Sequence, residues 1–400
     1  MRVLFVNYYD LDNNSGIHIF NLANELTRLG WECSVCVPHG KHTVTALGEP
    51  LFETFDFEEA RLRNQPAFDL IHAWTPRETV RSITEEMTQI YQCPYVVHLE
   101  DNEEAVLEAF LQMPISHLLK LSSDELDRLI PGYLSHPLRY KEFLRCSAGV
   151  SVLIDMLLEF CPKDLPSEVI WAGYEDALQW NISTDAGLGV RLGLSERDHV
   201  VVYTGNVHAA NRQEVFSLYL AVGLLNRQGI RTKLIRTGDD TVPVFDETTS
   251  FLKDHSIELG RVRRQDLPSV LSLADVLVQP GKPDAFNMYR FPSKLPEFLA
   301  SGKPVILPNA NIGAILKDGE ECLLLREGNA LEIVQKLEYL FRNKDVRERI
   351  GSGGRQFAEN HLKWKKIARR LQEFYQRILA LEKPHAALSL KQSKPDNGGA

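Results

Sequence analysis

The sequence predicts an α/β protein of two domains, each built on a parallel sheet with helices on both faces. Short apolar stretches alternate with longer amphipathic ones, which is the pattern of buried parallel strands connected by helices. This alternation stops near residues 163–185 and then starts again. A chain of 400 residues with 44% hydrophobic content is long enough to bury two cores.

In the first half, an apolar strand at 3–7 is followed by a loop that contains Gly16. An amphipathic helix is predicted over 17–29, with Gly30 as its C-terminal cap. Further strands are predicted at 33–37, 69–74 and 94–98. The segment 102–148 is rich in helix formers and charges, so we expect helices there.

The second half repeats the same alternation of strands and helices. Strands are predicted at 199–204, 231–237, 276–280 and 304–308, and helices at 213–228, 267–275, 329–343, 345–358 and 364–381. From Lys383 onward the composition is too poor in apolar residues to build a core, so a disordered tail is expected at 383–400.

Composition excludes several classes of function. A net charge of −9 gives no support for nucleic-acid binding, which usually requires a basic surface. The chain has no run of eighteen apolar residues, and its first residues continue into polar Asn7 and Asp10, unlike a signal peptide. Six cysteines without the spacing of a disulfide framework fit a reduced environment, so a cytoplasmic location is expected.

The most informative segment is FPSKLPEFLASGKPVI, residues 291–306. Its pattern predicts a helix that starts at Pro292, ends at Gly302 and leads into a buried strand. A helix N-terminus offers free N–H groups and partial positive charge to a phosphate. Glu297, near the helix start, is placed to accept hydrogen bonds from sugar hydroxyls beside that phosphate. The segment therefore predicts a nucleotide site.

This segment resembles the donor-binding motif of family-4 retaining glycosyltransferases, which have the GT-B fold. The resemblance implies two Rossmann-like domains with a cleft between them. We expect an acceptor domain at 1–165, a nucleotide-sugar donor domain at 166–360, and a helix at 361–382 that crosses back to the first domain.

The resemblance also assigns candidate residues in the first domain. Gly16, in the loop after the first strand, would face the cleft and let a ligand approach the backbone; the alternative is a turn and helix cap. His18 follows where the family has a histidine. His98, at a strand end, would lie near the donor sugar and the scissile bond as a catalytic residue; the alternative is a histidine satisfied within its loop.

Donor-diphosphate contacts are expected from two segments. Gly205 occupies the family's loop glycine, but Asn206 stands where an arginine is usual. Neutralisation of the diphosphate would then fall on Arg212 and Lys294, with Ser293 beside the latter.

The family's paired acids are matched less regularly. Asp284, in a loop that ends at Asn287, takes the place of the first acid and would contact hydroxyls of the donor sugar. Glu297 takes the second role and would bind the ribose. The gap between the two acids is five residues longer than in the common motif.

The implied reaction is transfer of a sugar from a nucleotide diphosphate sugar to an acceptor hydroxyl with retention, without metal or other cofactor. A glycan, a lipid-linked acceptor and a small molecule remain open. Two rivals are a nucleotide-sugar epimerase and a non-catalytic two-lobed ligand-binding protein. The basic run between Lys363 and Arg370 fits either a solvated helix face or peripheral contact with the inner membrane face.

Overall fold

The structure, a computed structural model, describes residues 1–62, 67–176 and 178–392, with the backbone alone for 382–392. It divides into two compact units. The first is Met1–Trp171 together with the helix that begins at Trp364, and the second is Ala172–Lys363. The sequence placed these boundaries a few residues earlier, at 165/166 and 360/361.

The first unit contains a parallel sheet in the strand order β3-β2-β1-β4-β5-β6-β7. Its strands are β1 (Arg2–Val6), β2 (Glu32–Val37), β3 (Glu53–Asp56), β4 (Leu70–Trp74), β5 (Tyr95–Leu99), β6 (Gly149–Val152) and β7 (Ser167–Val169). Its helices up to residue 171 are α1 (Asn14–Arg28), α2 (Phe57–Leu62), α3 (Glu78–Tyr91), α4 (Glu103–Leu111), α5 (Ile115–Leu118), α6 (Ser123–Leu129) and α7 (Arg139–Arg145).

The second unit contains a parallel sheet in the order β10-β9-β8-β11-β12-β13. Its strands are β8 (His199–Thr204), β9 (Thr232–Thr237), β10 (Ser256–Glu258), β11 (Val276–Val278), β12 (Val305–Pro308) and β13 (Leu323–Leu325). Its helices are α8 (Ala186–Arg191), α9 (Arg212–Arg227), α10 (Leu267–Ser272), α11 (Ala285–Met288), α12 (Leu295–Ala300), α13 (Ala330–Arg342) and α14 (Lys344–His361).

The apolar stretches of the sequence form the central strands of both sheets. Val3–Val6 of β1 and Val201–Tyr203 of β8 are fully buried, as expected for parallel strands covered on both faces. Local signals fix the helix starts: the Asn13 side chain accepts a hydrogen bond from the Gly16 amide and caps α1. Five strands that the sequence analysis did not assign as such are short and lie away from the sheet centres: β3, β6, β7, β10 and β13.

The last helix, α15 (Trp364–Gln392), belongs to the first unit. Its Tyr375 ring is fully buried and lies 5.5 Å from the Trp31 ring. Helix α15 is described as far as Gln392 and so extends past residue 383, where the expected disordered tail begins. The remainder of that predicted tail, 393–400, lies outside the described residues.

None of the helices described in the structure combines the length and the apolar character needed to cross a bilayer.

Candidate functional site

The strand order of the second unit locates its ligand-binding edge. The chain runs from β8 outward to β9 on one side, whereas β11 pairs with β8 on the other, so the order reverses between β8 and β11. In open parallel sheets, ligands bind beyond the carboxyl ends of the strands at such a reversal. The two loops that leave this point begin at Gly205 and at Gln279, and they carry several of the predicted residues.

Gly205 is required at its position for two independent reasons. Its φ of +142° lies in a region that side-chain-bearing residues rarely adopt. A Cβ atom there would also lie 2.9 Å from Cε of Lys294. The glycine therefore lets the lysine side chain lie directly on the loop backbone, next to the end of β8.

Lys294 is held among groups of both signs. Its ammonium nitrogen lies 3.4 Å from the Tyr203 hydroxyl and 4.5 Å from the centre of that ring. Burial, together with the positive charge of Arg290, lowers the pKa of Lys294 to about 7, although Glu297 and Glu214 act in the opposite direction. An ammonium group in such surroundings gains strongly when an anion binds beside it.

Asp284 has a structural role in the loop after β11. It is the N-cap of α11, and its Oδ1 accepts hydrogen bonds from the Asn287 amide at 3.0 Å and from Asn287 Nδ2 at 3.2 Å. Asn287 is fully buried, and its Nδ2 also donates to Glu214. The predicted pair Asp284 and Asn287 is therefore joined by a third residue, Glu214.

Glu214 is the acid that sequence reasoning missed. It lies in the first turn of α9, its Oε2 is buried without a partner among the described residues, and burial raises its pKa. Its signal in the sequence was a carboxylate in the first turn of the helix that follows the Gly205 loop. The structure places it with Asn287 and within electrostatic reach of Lys294.

Glu297 is confined more closely than expected. It is 6% exposed, and its Oε1 forms an ion pair of 2.8 Å with Arg264, which also pairs with Glu175. Burial raises the pKa of Glu297, and Arg264 opposes this shift. The guanidinium lies 5.8 Å from the centre of the Trp180 ring. Sequence reasoning found the acid but not the arginine that holds it.

The predicted helix start at Pro292 is wrong. Helix α12 begins at Leu295, with Lys294 as N-cap and Pro296 in its first turn, while Pro292 lies in the preceding loop. Either proline is compatible with a helix start, and only the packing of the loop separates them. Ser293 is exposed in the turn before the helix, and Gly302 has the positive φ of a residue just beyond a helix end.

Two other predicted diphosphate ligands make contacts with neighbouring loops. Arg212 is exposed, and its Nε donates to the Pro243 carbonyl at 2.6 Å. The Asn206 side chain accepts a hydrogen bond from the Asp239 amide at 2.8 Å and so joins the loops after β8 and β9. The cation whose charge acts on Lys294 is Arg290, and the role of Arg212 toward a diphosphate stays a prediction.

The first unit has its own polar cluster where its strand order reverses, between β1 and β4. Glu100, which follows β5, accepts a hydrogen bond of 2.7 Å from the Trp74 indole and another from the Ser15 hydroxyl. His18 Nδ1 lies 3.4 Å from the same carboxylate. Burial disfavours the charged form, but hydrogen bonds and charge effects from neighbouring groups, with His18 the largest, outweigh it and lower the pKa of Glu100 to about 2.

Gly16 is explained by packing within its own loop. A Cβ atom at this buried position would lie 2.6 Å from Cα of Leu11, so only glycine allows the start of α1 to lie against that segment. This contact accounts for a glycine at position 16, whereas the approach of a ligand to this loop stays a prediction.

His98 lies next to the last residue of β5 and is fully buried. Its ring is stacked on Trp74 at 4.0 Å, its Nδ1 is 2.8 Å from the Ser151 hydroxyl, and its Nε2 has no hydrogen-bond partner among the described residues. Burial lowers its pKa to about 3, so the imidazole is neutral at neutral pH. His98 lies in a strand, as the sequence predicted, and its role toward a ligand stays a prediction.

Several predicted residues thus come together within the second unit. Gly205, Asn287, Lys294 and Glu297 are linked by contacts or charge effects around the end of β8, and Asp284 joins them through Asn287. Within the described ranges, no three His, Cys, Asp or Glu side chains are grouped as metal ligands would be.

Comparison with known proteins connects these features to a family. The sequence profile described as "Glycosyl transferases group 1" matches residues 198–343, which include Gly205, Lys294 and Glu297. An uncharacterized glycosyltransferase of Methanocaldococcus jannaschii is 26% identical over 121 residues, which is 30% of this chain and 33% of that protein. The match therefore spans about a third of the length of this relative.

Two solved structures resemble the chain over most of its length. Anabaena HepE, crystallised in complex with UDP-glucose, gives a TM-score of 0.69 at 16% identity, covering 94% of this chain and 100% of that one. Sucrose-phosphate synthase from Thermosynechococcus elongatus gives 0.69 at 16% identity, covering 95% and 100%. Residues 198–343 of the second unit are thus similar to the glycosyl transferases group 1 profile, and the chain has the GT-B fold.

Proposed function

We propose that this protein is a retaining glycosyltransferase of family 4, which moves a hexose from a nucleotide diphosphate sugar to an acceptor hydroxyl. The observation that carries this proposal is the placement of Lys294 against Gly205 at the reversal of the second sheet. A half-buried cation beside a glycine backbone, at the edge where parallel sheets bind ligands, suits a diphosphate. The family match over 198–343 supports the same assignment.

In this proposal the second unit binds the donor. Lys294 neutralises the diphosphate together with Arg290, whose positive charge acts on Lys294. Glu297 accepts hydrogen bonds from the ribose. Asp284 or the half-buried Glu214 contacts hydroxyls of the sugar. These cations would stabilise the leaving diphosphate without a metal ion.

The first unit would supply the acceptor side, with His98 near the reacting sugar. In transfer with retention at one face, the leaving phosphate itself can take the proton of the acceptor hydroxyl, so a strong enzymic base is not required. The neutral imidazole of His98 and the buried cluster around Glu100 fit such a site. We further propose a cytoplasmic location, with the basic start of α15 as the surface for any contact with an anionic membrane.

A ligand screen followed by a product assay tests the proposal. The protein is melted with nucleoside diphosphates and with their hexose derivatives, each with and without EDTA. The sugar released or transferred from an active donor is then examined by ¹H NMR before mutarotation. Binding that survives EDTA, followed by a product with the donor's anomeric configuration, is expected.

Three outcomes would contradict it. A C2-epimerised sugar formed without acceptor would favour the epimerase. Tight binding without any turnover would favour a binding protein. Absence of a melting shift with every common nucleotide would remove the donor site.

A further inference from the structure

Four fully buried polar side chains form a hydrogen-bond relay through the first unit, from α15 to β5. The Tyr375 hydroxyl lies 2.6 Å from Nδ1 of His72, and Nε2 of His72 lies 3.1 Å from the Ser151 hydroxyl. The same hydroxyl lies 2.8 Å from Nδ1 of His98. One hydrogen-bonded path therefore connects the last helix to His98.

Each side chain of this hydrogen-bond relay has one proton to donate. Burial lowers the pKa of His72 well below its ordinary value and that of His98 to about 3, so both rings are neutral and carry a single N–H. Burial raises the pKa of Tyr375 well above its ordinary value, so its hydroxyl keeps its proton. The four side chains thus offer four protons for the three contacts between them, so one proton is left over.

Three arrangements of donors fill all three contacts, because a serine hydroxyl oxygen can accept two hydrogen bonds. If Tyr375 donates, His72 receives at Nδ1 and donates from Nε2 to Ser151, which then donates to Nδ1 of His98. The proton of His98 is then on Nε2. If every bond runs the other way, His98 carries its proton on Nδ1, and the proton of the Tyr375 hydroxyl has no acceptor among the described residues. If both histidines donate to Ser151, His98 again carries its proton on Nδ1, and the proton of the Ser151 hydroxyl is the one without an acceptor among the described residues.

The first direction has the lower free energy. Nε2 of His98 lacks a partner in every case, but each of the other two arrangements adds a second unsatisfied group, the buried hydroxyl proton of Tyr375 or of Ser151. Leaving a buried donor without an acceptor costs about 1–3 kcal/mol. At about 1.4 kcal/mol per factor of ten, this cost favours the first direction by roughly one to two orders of magnitude.

We propose that Tyr375 is a positioning residue which, through His72 and Ser151, fixes His98 as the Nε2–H tautomer. His98 then presents a hydrogen-bond donor, not a proton acceptor, to a ligand hydroxyl or other oxygen beside Trp74 and Glu100. This role of His98 in transfer rests on the proposed function, whereas the tautomer itself does not.

The direct test is the tautomer. Two-bond ¹H–¹⁵N correlation spectra of ¹⁵N-histidine-labelled full-length protein distinguish Nδ1–H from Nε2–H rings, and His98→Gln and His72→Gln identify the signals. We expect Nε2–H at His98 in the natural chain and a mixture, or the Nδ1–H form, in Tyr375→Phe. Tyr95→Phe is the matched control, because it removes another buried hydroxyl of the first unit, which donates to the Phe143 carbonyl at 2.9 Å.

Kinetics with the active nucleotide sugar give the second readout. Tyr375→Phe should lower kcat by roughly tenfold, the worth of one hydrogen bond, and leave the Kd of the nucleoside diphosphate within about twofold. Tyr95→Phe should change neither. An Nδ1–H ring at His98 in the natural chain, or an unchanged tautomer in Tyr375→Phe, would overturn the proposal. If the tautomers follow expectation but no nucleotide sugar reacts, the proposed function fails and the hydrogen-bond relay stands.

Discussion

The ammonium nitrogen of Lys294 lies 3.4 Å from the hydroxyl of Tyr203, the residue two positions before the loop glycine that lets the lysine approach. The two residues are 91 positions apart in the sequence, with several β-α units between them. Their meeting point is the end of β8, so the first tests concern this lysine and its glycine.

The pH dependence of diphosphate binding should report Lys294. Its pKa in the free protein is about 7, and a bound diphosphate favours the protonated amine. Above that pH, binding must take up a proton, so Kd should rise with pH, by up to about tenfold per unit. Calorimetry in buffers of different ionisation enthalpy measures the uptake. Lys294→Met should bind weakly with little pH dependence in this range, and an unchanged slope in that variant would contradict the assignment.

Gly205→Ala should harm both stability and binding. The positive φ becomes strained, at a cost of about 1–3 kcal/mol, and the new methyl group pushes on Lys294. Urea denaturation and diphosphate titration measure the two effects. Gly229→Ala is the control, since Gly229 has a φ of +83° but nothing within 4 Å of its Cβ position. It should lose stability alone, and equal binding losses in both variants would point to a general effect.

Glu297→Gln should weaken donor binding by at least about tenfold, because charge-assisted hydrogen bonds to a ribose are worth about 1.5–3 kcal/mol. The structure adds a stability cost that the sequence did not predict, since Arg264 loses one of its two acidic partners. Glu175→Gln removes the other partner and serves as the control. Donor affinity should fall much further in Glu297→Gln than in Glu175→Gln; equal losses would assign the acid to holding Arg264 only.

Substitution of Asp284 and of Glu214 should show which of these two acids contacts the donor sugar. Asparagine also caps helices well, so Asp284→Asn should leave α11 intact. The variant of the acid that binds the sugar should lower kcat/KM for the nucleotide sugar by about tenfold or more and leave the affinity for the free diphosphate unchanged. Glu214→Gln is compared in the same assay. Full activity in both variants would remove both residues from the sugar site.

Much of the fold was predictable because its signals are local. Strands β1, β8 and β12 are continuous apolar runs, and the helices between them have amphipathic spacing and recognisable ends. The importance of Gly205, Lys294 and Glu297 could also be inferred from short motifs, since a loop after a strand and the start of a helix are set by neighbouring residues.

The tertiary structure alone decided how these residues are partnered. Glu214 meets Asn287 across 73 positions, and Tyr375 meets His72 across 303. Such pairs form only when separate β-α units pack together, and no local pattern encodes them. Burial then determines their chemistry: it keeps His98 neutral, lowers the pKa of Lys294 and leaves Glu214 with an unpartnered oxygen among the described residues. Sequence thus determined the order of elements and the residue types at the sheet edge, whereas packing determined their charge states and partners, because desolvation depends on everything that surrounds a group.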